Sequence, residues 1–522
     1  EDYWVVKLKV VNHADTIQGT VFASVNNTCI PQPNECRLAN IVVKTEPSSF
    51  FGITNSQGNY KILTGHDTYK VAPLIPAQYR NFMSSNVMCP ASGYHTLIMN
   101  ESNTDTTGIN FSRDIAHCPL LQVGITNGRL RHCSQSSGVI SYSNIGIADT
   151  NKVKVYLEIP DGITFISADM PYTTQGNQIV FNIDTLKANQ YGNIHYTLSV
   201  SCTGILLGTT SCLKVWILPK HNCYKQLHPN YTNWDRSELE IAGNCLGNTA
   251  RFTIYNRGSN MADSSSYKLF IDAVFSITKK FKINAGDSLV INFPSNGGTY
   301  RLEATQRPYY PGNTVVYATL EACGTGAASR SMVTQMETSA PNPDIVQLCL
   351  PIRSSYDPND KEVNPTGVGV DNRVRHKVPL NYTINFQNTG NDTAYKVVLT
   401  DTLSSDFDLS TLVFGASSHP YTVDFIGRVI PILRFPFDNI NLVDSITNEP
   451  KSHGFVSFSV KPYDTIPNAT KIYNHADIYF DFNPPIRTNT TLTTINDTVF
   501  SGAKIVAVSA GIDKTVCLGD SI

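Results

Sequence analysis

Apolar and polar residues alternate in short runs along this chain. Val153, Val155, Leu157 and Ile159 make one run, Ile194, Tyr196, Leu198 and Val200 a second, and Val397 and Leu399 lie in a third. A period of two puts every second side chain on one face, the signature of a strand with one face in a core. Helical spacing of apolar residues is nowhere sustained. With 33 Gly and 28 Pro cutting the runs at short intervals, the pattern predicts an all-β protein of many short strands. A chain of 522 residues is too long for one core, so several domains in tandem are expected.

Three strand ends repeat one motif: ISYSNIG (Ile140 to Gly146), FTIYNRG (Phe252 to Gly258) and INFQNTG (Ile384 to Gly390). Each is expected to close in a turn whose Asn tolerates a left-handed conformation and whose Gly takes the remaining positive φ. Two continue alike, as DTNKVKVYLEIP from Asp149 and DTAYKVVLTDTL from Asp392. Such repeated strand and turn spacing is that of β-sandwiches with immunoglobulin-like topology.

Composition then removes several function classes. Lys+Arg 40 nearly balances Asp+Glu 42 and no basic block occurs, so the electrostatic footprint of a nucleic-acid binder is missing. No apolar run is long enough for a transmembrane helix. The twelve cysteines include no CxxC pair, which favours disulfides over zinc and an extracellular or cell-surface location over a reducing one. Two local bridges are expected, Cys29 with Cys36 and Cys202 with Cys212, the wider connectivity remaining open. Cys517, near the end, is expected to pair outside this stretch, which leaves another unpaired or intermolecular thiol.

Catalytic signatures are missing from the sequence: no GxSxG elbow, P-loop, HExxH or dinucleotide fingerprint. A non-enzyme without cofactors is expected. Asp357, Asn359 and Asp360 place oxygen donors together in a Pro-containing turn, with Asp481 returning near them, a set that suits a structural calcium. The alternative is that Asp357 and Asn359 only cap the turn through backbone N–H groups. Trp234, Tyr309 and Tyr310 are aromatics that could stack on sugar rings or fill a core.

Family resemblances follow from longer motifs. SYDPNDKEVNPTG (Ser355 to Gly367), NYTINFQNTGNDTAYKVVLTDTL, ASSHPY, DSITNEPKSHGFV and IYFDFNPPIRTNT resemble the conserved repeat-type sandwich near the carboxyl end of large Bacteroidetes surface proteins, which use type IX secretion. Residues 121 to 216 resemble a bacterial surface-repeat sandwich. Residues 217 to 350, with AGDSLVINF and TYRLEATQRPYYPGN, resemble a cell-adhesion-related domain of bacterial and archaeal surface proteins. Residues 17 to 116, with IQGTVFASVNN and GITNSQGNYKI, resemble the prealbumin-like module that also serves as a carboxypeptidase regulatory domain. The implied architecture is a tandem of immunoglobulin-like and prealbumin-like β-sandwiches: an amino-terminal strand segment (1–16), then sandwiches at 17–116, 117–216, 217–350 and 351–498, then a carboxyl-terminal strand segment (499–522).

Asp followed by Ser or Thr and a small or aliphatic residue recurs, and the triplet is similar to the O-glycosylation signal of Bacteroidetes secreted proteins. The resemblance implies sugar on Thr16, Thr106, Thr185, Ser288, Thr393, Thr402, Ser445, Thr465, Thr498 and Ser521. The alternative is that Asp-Thr-Leu is a strand-end motif of the repeated domain.

The ends resemble partial modules. DYWVVKLKV (Asp2 to Val10) is similar to the last strand of a β-propeller repeat, and AGIDKTVCLGDSI (Ala510 to Ile522) to the first strand of a polycystic-kidney-disease-type sandwich, as expected of an interior piece of a longer precursor. Trp4, Val6 and Leu8 at one end and Ile505, Val506 and Val508 at the other are β-prone segments that could complete the sheet of a second copy. The expectation is a glycosylated extracellular filament or stalk subunit that polymerises head to tail by strand exchange. The alternatives are an adhesin for a polysaccharide or host surface, and a non-catalytic spacer of a larger secreted enzyme.

Overall fold

The computed structural model describes residues 15–497 apart from 25–27, 34, 77–82, 204–206, 221–230, 311–313, 327, 329–331, 338–343, 354–357 and 428. It is all β, with two single-turn 3-10 helices in the third sandwich and linker and one short helical corner at Ser445–Lys451 in the fourth. The alternating runs form strands whose apolar phase is buried: Val153, Val155 and Leu157 are fully enclosed, as are Ile194 and Leu198. Burial of that phase is the main stabilising term of each sheet pair.

The first sandwich packs the sheet Asn59–Thr64, Asp15–Ala23, Phe111–Ile115, Met83–Cys89 against the sheet Phe51–Ile53, Val42–Glu46, Asp67–Leu74, His95–Met99. Asp15–Ala23 runs parallel to Phe111–Ile115. Ile17, Val21, Tyr60, Val71 and Phe111 fill the space between the sheets. The second sandwich pairs Leu121–Asn127, Gln135–Asn144, Gln190–Val200 and Ile163–Ala168 in one sheet. Tyr172–Gln175, Gln178–Leu186, Thr150–Glu158, Thr210–Leu218 and Ile345–Pro351 form the other.

That last strand corrects the sequence-based boundary at 350. Ile345–Pro351 does not close the third sandwich; it adds to the second, antiparallel to Thr210–Leu218, with Leu213 opposite Leu348 and Cys212 opposite Cys349. The third sandwich, from Leu239–Leu246 to Val315–Cys323, is therefore an insertion between two neighbouring strands of the second. Ile352 continues into the second core, and Arg353 donates its N–H to the Leu130 carbonyl at 3.0 Å. Ile352 and Arg353, leading toward the fourth sandwich, are thus laid on the second.

The fourth sandwich, Asp360 to Ile495, opposes the sheet Asp360–Asn364, Leu380–Gln387, His453–Pro462, Phe407–Ser417 to two further sheets. One is Arg373–Val374, Thr491–Ile495, Thr470–Asn474. The other is Asp424–Ile426, Ile432–Leu442, Ala394–Thr402, Ala476–Phe480, Ile486–Arg487. Its core is aromatic, with Phe386, Phe407, Phe435, Phe437 and Phe458 all buried.

The Asn-x-Gly repeat does the same work in three sandwiches, for a different reason than its turn propensity suggests. Asn144, Asn256 and Asn388 are buried, and neither they nor Gly146, Gly258 and Gly390 have positive φ. Each Asn Oδ1 accepts from the Gly N–H two residues on at 3.1 Å. Each Nδ2 donates to a carbonyl further along the turn, Ala148, Ser259 and Asp392 respectively, and to one on another strand or loop, Leu186, Ile283 and Leu442. The side chain, then, is a polar plug that satisfies backbone groups where the turn dives into the core. Gly is needed for closeness: a Cβ on Gly146 would sit 2.2 Å from the Cys118 carbonyl, and one on Gly258 2.1 Å from that of Arg236.

Candidate functional site

Covalent locks come first. The structure joins Cys29 to Cys89, Cys133 to Cys202, Cys212 to Cys349 and Cys245 to Cys323, and Cys118 is also disulfide-bonded. The expected local pairs, Cys29 with Cys36 and Cys202 with Cys212, do not form. Sheet pairing decides otherwise: Gln135 faces Ser199 at the end of the antiparallel strand pair flanked by Cys133 and Cys202, and Cys212 directly faces Cys349 across its ladder. Sequence proximity is a poor guide when partners are set by register. Cys36 keeps its thiol, half-buried against the first core, and burial raises its pKa so that it is a poor nucleophile.

The fourth sandwich touches all three others. Phe51 of the first meets Phe425 edge-on with centroids 5.3 Å apart, and Val429 donates its N–H to the Ser49 carbonyl at 2.9 Å. From the second, Arg129 bridges Asp360 and Glu362, and the hydroxyls of Thr126 and Ser457 lie 2.8 Å apart. Val139 packs with Ala416 and Phe455. From the third, Glu303 takes Arg375 at 3.0 Å and its own Arg301 at 2.8 Å. Burial pushes the Glu303 carboxyl up, but Arg301 and Arg375 outweigh it and hold the group below the usual carboxylate range.

Inside the fourth sandwich lies a cluster that core packing alone does not explain. Lys361, on Asp360–Asn364, and Asp401, on Ala394–Thr402, have side chains with no solvent exposure and form an ion pair. The Lys361 backbone is held on both sides by Asn489, whose Oδ1 accepts from the Lys361 N–H at 2.9 Å and whose Nδ2 donates to its carbonyl at 3.0 Å. The Lys361 ammonium position lies 4.7 Å from the Tyr382 ring centre and 5.4 Å from that of Phe458. Burial drives the Lys361 pKa down and the Asp401 pKa up, each against the partner's opposing charge; both shifts favour the neutral amine and the neutral acid.

Asn474, at the end of Thr470–Asn474, completes the cluster. Its side chain acts on both Asp401 and the Tyr382 hydroxyl, yet neither its Nδ2 nor its Oδ1 reaches hydrogen-bonding geometry with any partner. It is 1% exposed. Asp401 Oδ1, the Tyr382 hydroxyl and the Thr493 hydroxyl beside it are likewise buried without a partner.

The remaining expected sites fall as follows. Asp357 lies outside the described residues. Asn359 Oδ1 accepts from the Gln387 N–H at 3.0 Å, Asp360 is held by Arg129 and by Asn385, and Asp481 accepts from the Tyr395 and Lys396 N–H groups. These oxygens meet protein donors, Asn359 as a turn cap and Asp360 in an interdomain salt bridge, and among the described residues no cluster of three or more His, Cys, Asp or Glu could hold a metal.

Among the glycosylation triplets, Thr185, Ser288, Thr402 and Thr465 are exposed and Thr106, Thr393 and Ser445 partly so. Thr16 is buried and bonded to Asp105, which excludes it as an acceptor in the folded chain. Asp401 belongs to the buried cluster, and Asp444 caps the short helix through the Ile446 and Thr447 N–H groups, so these two triplets have a structural use. Thr498 and Ser521 lie outside the described residues, as do the assembly positions Trp4, Val6, Leu8, Ile505, Val506 and Val508. Trp234 and Tyr310 are buried edge to face, 5.2 Å apart, so of these three aromatics Tyr309 alone offers an exposed ring.

Lys361, Asp401 and Asn474 escaped the sequence reading although they carried a signal. Asp401 follows Val397 and Leu399 in the core phase of its strand, Asn474 follows Ile472, and Lys361 precedes Val363. A polar residue in the buried phase of an alternating run marks a site that the core must accommodate.

Comparison with known proteins adds a limited amount. A family model described as a domain of unknown function, DUF7619, matches residues 357–494, the fourth sandwich. No curated protein sequence matches the chain. Solved structures to which it is similar include the major pilin subunit of Bacillus cereus, 10% identical over 59% of this chain and 93% of that one, with a TM-score of 0.17. The T6 backbone pilin of Streptococcus pyogenes is 10% identical over 59% of this chain and 80% of that one, with a TM-score of 0.17. The collagen-binding domain of a Staphylococcus aureus adhesin is 9% identical, covering 27% of this chain and 99% of that one, with a TM-score of 0.18. Likeness of this depth leaves the functional reading to the chain's own residues.

Proposed function

We propose that this chain is a non-catalytic, load-bearing part of an extracellular bacterial surface protein or filament. The observation that carries the reading is the clamp at the root of the inserted sandwich. Thr210–Leu218 and Ile345–Pro351 pair side by side and are joined by Cys212–Cys349, so tension can pass between the second and fourth sandwiches through one disulfide, leaving the third out of the load path. Four sandwiches, at least four disulfides in the described residues and no helix there long and apolar enough to cross a membrane suit an oxidising, exposed setting.

Two finer elements belong to the same reading. Sugar on exposed triplets such as Thr185, Ser288, Thr402 and Thr465 would coat the surface. The end segments containing Trp4, Val6, Leu8, Ile505, Val506 and Val508 would join copies by strand exchange, an open head-to-tail interface that builds filaments unless it closes into a ring.

Pulling the chain between its two ends tests the load path. With the clamp intact, the inserted segment stays out of the extension trace. In the Cys212→Ser, Cys349→Ser variant an added length of roughly 20 nm appears, from the 137-residue separation less the 78 residues that Cys245–Cys323 keeps closed, at about 3.4 Å per residue. Equal traces from both proteins would refute the load-bearing reading. Electron microscopy of chains lacking residues 1 to 10 or 503 to 522 tests the strand exchange separately, and truncated chains that still form fibres would rule it out.

A further inference from the structure

We propose that the fourth sandwich crosslinks itself: Lys361 Nζ attacks Cγ of Asn474 to form an amide, with Asp401 as the proton shuttle. The three side chains come from three strands, Asp360–Asn364, Ala394–Thr402 and Thr470–Asn474, and meet in a water-free pocket walled by Tyr382 and Phe458. Each brings one part of an amide exchange. Lys361 is the nucleophile, Asn474 the acyl donor and Asp401 the acid, and Asp401 contacts both of the others.

The step balances without a co-reactant. Asp401 takes a proton from the Lys361 ammonium, leaving a neutral amine and a carboxylic acid, the pair of states that this burial favours. The amine lone pair adds to Cγ, and the Asp401 acid protonates the developing tetrahedral oxygen. A second proton from Nζ passes through Asp401 to Nδ2, the tetrahedral oxygen hands its proton back to Asp401 as the Cγ–Nδ2 bond breaks, and ammonia leaves. The products are a secondary amide between Lys361 and Asn474, one ammonia and Asp401 as the neutral carboxylic acid.

Asn474 is a better acyl donor here than Asp401 itself. Its Nδ2 and Oδ1 are both stranded in a dry site, an arrangement that buried carboxamides otherwise avoid. Loss of Nδ2 removes two unsatisfied donor hydrogens, and the new amide N–H faces Asp401, which then has a hydrogen bond in place of a buried ammonium. Asn489, gripping the Lys361 backbone on both sides, fixes the strand from which the attack is made. The link would join the first strand of the sandwich to a strand near its end. It does not depend on the load-bearing reading, which rests on the second sandwich.

Peptide mapping of the full oxidised chain by high-resolution mass spectrometry is the test. The expected result is one branched peptide containing both Lys361 and Asn474, lighter than the sum of its parts by one ammonia, with no tryptic cleavage after Lys361. Asp401→Asn should yield the two linear peptides at full mass, with the disulfides of the other sandwiches intact as evidence that the chain folds. Two linear peptides from the unmutated protein would overturn the proposal. So would a branched peptide lighter by one water that joins Lys361 to Asp401. A crosslinked Asp401→Asn chain would overturn the role given to Asp401.

Discussion

The second and fourth sandwiches have related strand patterns and the same Asn plug, but they are secured by different chemistry. The second is stapled by Cys133–Cys202 at the end of one strand pair and by Cys212–Cys349 across the root of the insertion. The fourth, residues 360 to 495, contains no cysteine; it buries Lys361, Asp401 and Asn474 instead. Disulfides act chiefly by restricting the unfolded chain. A buried polar cluster acts in the folded state, where it specifies which strands meet and is costly if left incomplete. One sandwich is thus sensitive to reductant and the other to the loss of a single charge.

The largest expected effect separates them by redox. Replacing Cys212 and Cys349 with Ser reopens a loop with a sequence separation of 137, about 5 kcal/mol in the chain-entropy model. Denaturant melts should show the second and third sandwiches shifting to lower midpoints while the fourth holds its own. A fourth-sandwich transition that falls by the same amount under reductant would break the contrast.

Next comes the buried charge. Asp401→Ala leaves Lys361 without its counter-ion in a site with no solvent, a cost of about 3–5 kcal/mol, with the second sandwich unmoved. Hydrogen exchange resolved by segment is the appropriate measurement, since it reads Leu380–Gln387 and Gln135–Asn144 in the same sample. Equal loss of protection in both strands would mean that the two sandwiches unfold as one unit.

The Asn plugs should bring the two back into agreement. Asn144→Ala and Asn388→Ala each strand backbone groups at a core entrance: the Gly146 and Leu120 N–H groups in one, the Gly390 N–H in the other, with two carbonyls in each. Each substitution should cost about 2–3 kcal/mol, at the upper end of the range for unsatisfied buried groups. If Asn→Asp at either position, which keeps Oδ1 and loses both donors, is as stable as the parent, the carbonyl contacts contribute nothing.

How much of this the sequence foretold depends on the range of the interaction. Strand phase is local, and Val153, Val155 and Leu157 lie where their alternation puts them. The Asn-x-Gly motif was visible as a repeat, but its meaning was not, since the acceptors for Asn144 and Asn388 include Leu186 and Leu442, which only the fold brings near. Cysteine pairing failed for the same reason: Cys212 faces Cys349 because a strand returns after an inserted domain, and no local spacing encodes that return. Lys361, Asp401 and Asn474 were legible singly as polar residues in buried phases. Their meeting is a property of three sheets closing on one another.

The smallest expected effect lies where the two sandwiches meet. His419 of the fourth is held below its ordinary pKa of 6.5, mainly by burial and secondarily by the neighbouring His195 of the second; His195 in turn contacts Asp169 at 2.7 Å. Ser418 Oγ lies 2.9 Å from His419 Nδ1. A histidine depressed in the folded state binds its proton more readily when unfolded, so stability falls as pH drops below about 6.5 and levels off once the folded pKa is passed. Glu303, depressed by its two arginines, contributes stability that is present above the ordinary carboxylate value of 4.5 and is lost as the pH falls through its folded pKa. Thermal melts of the unmutated chain at pH 7.5 and 5.5 should show a modest drop. In His419→Gln, which cannot titrate, the difference should shrink; an unchanged difference would place the acid sensitivity somewhere other than the contact between the second and fourth sandwiches.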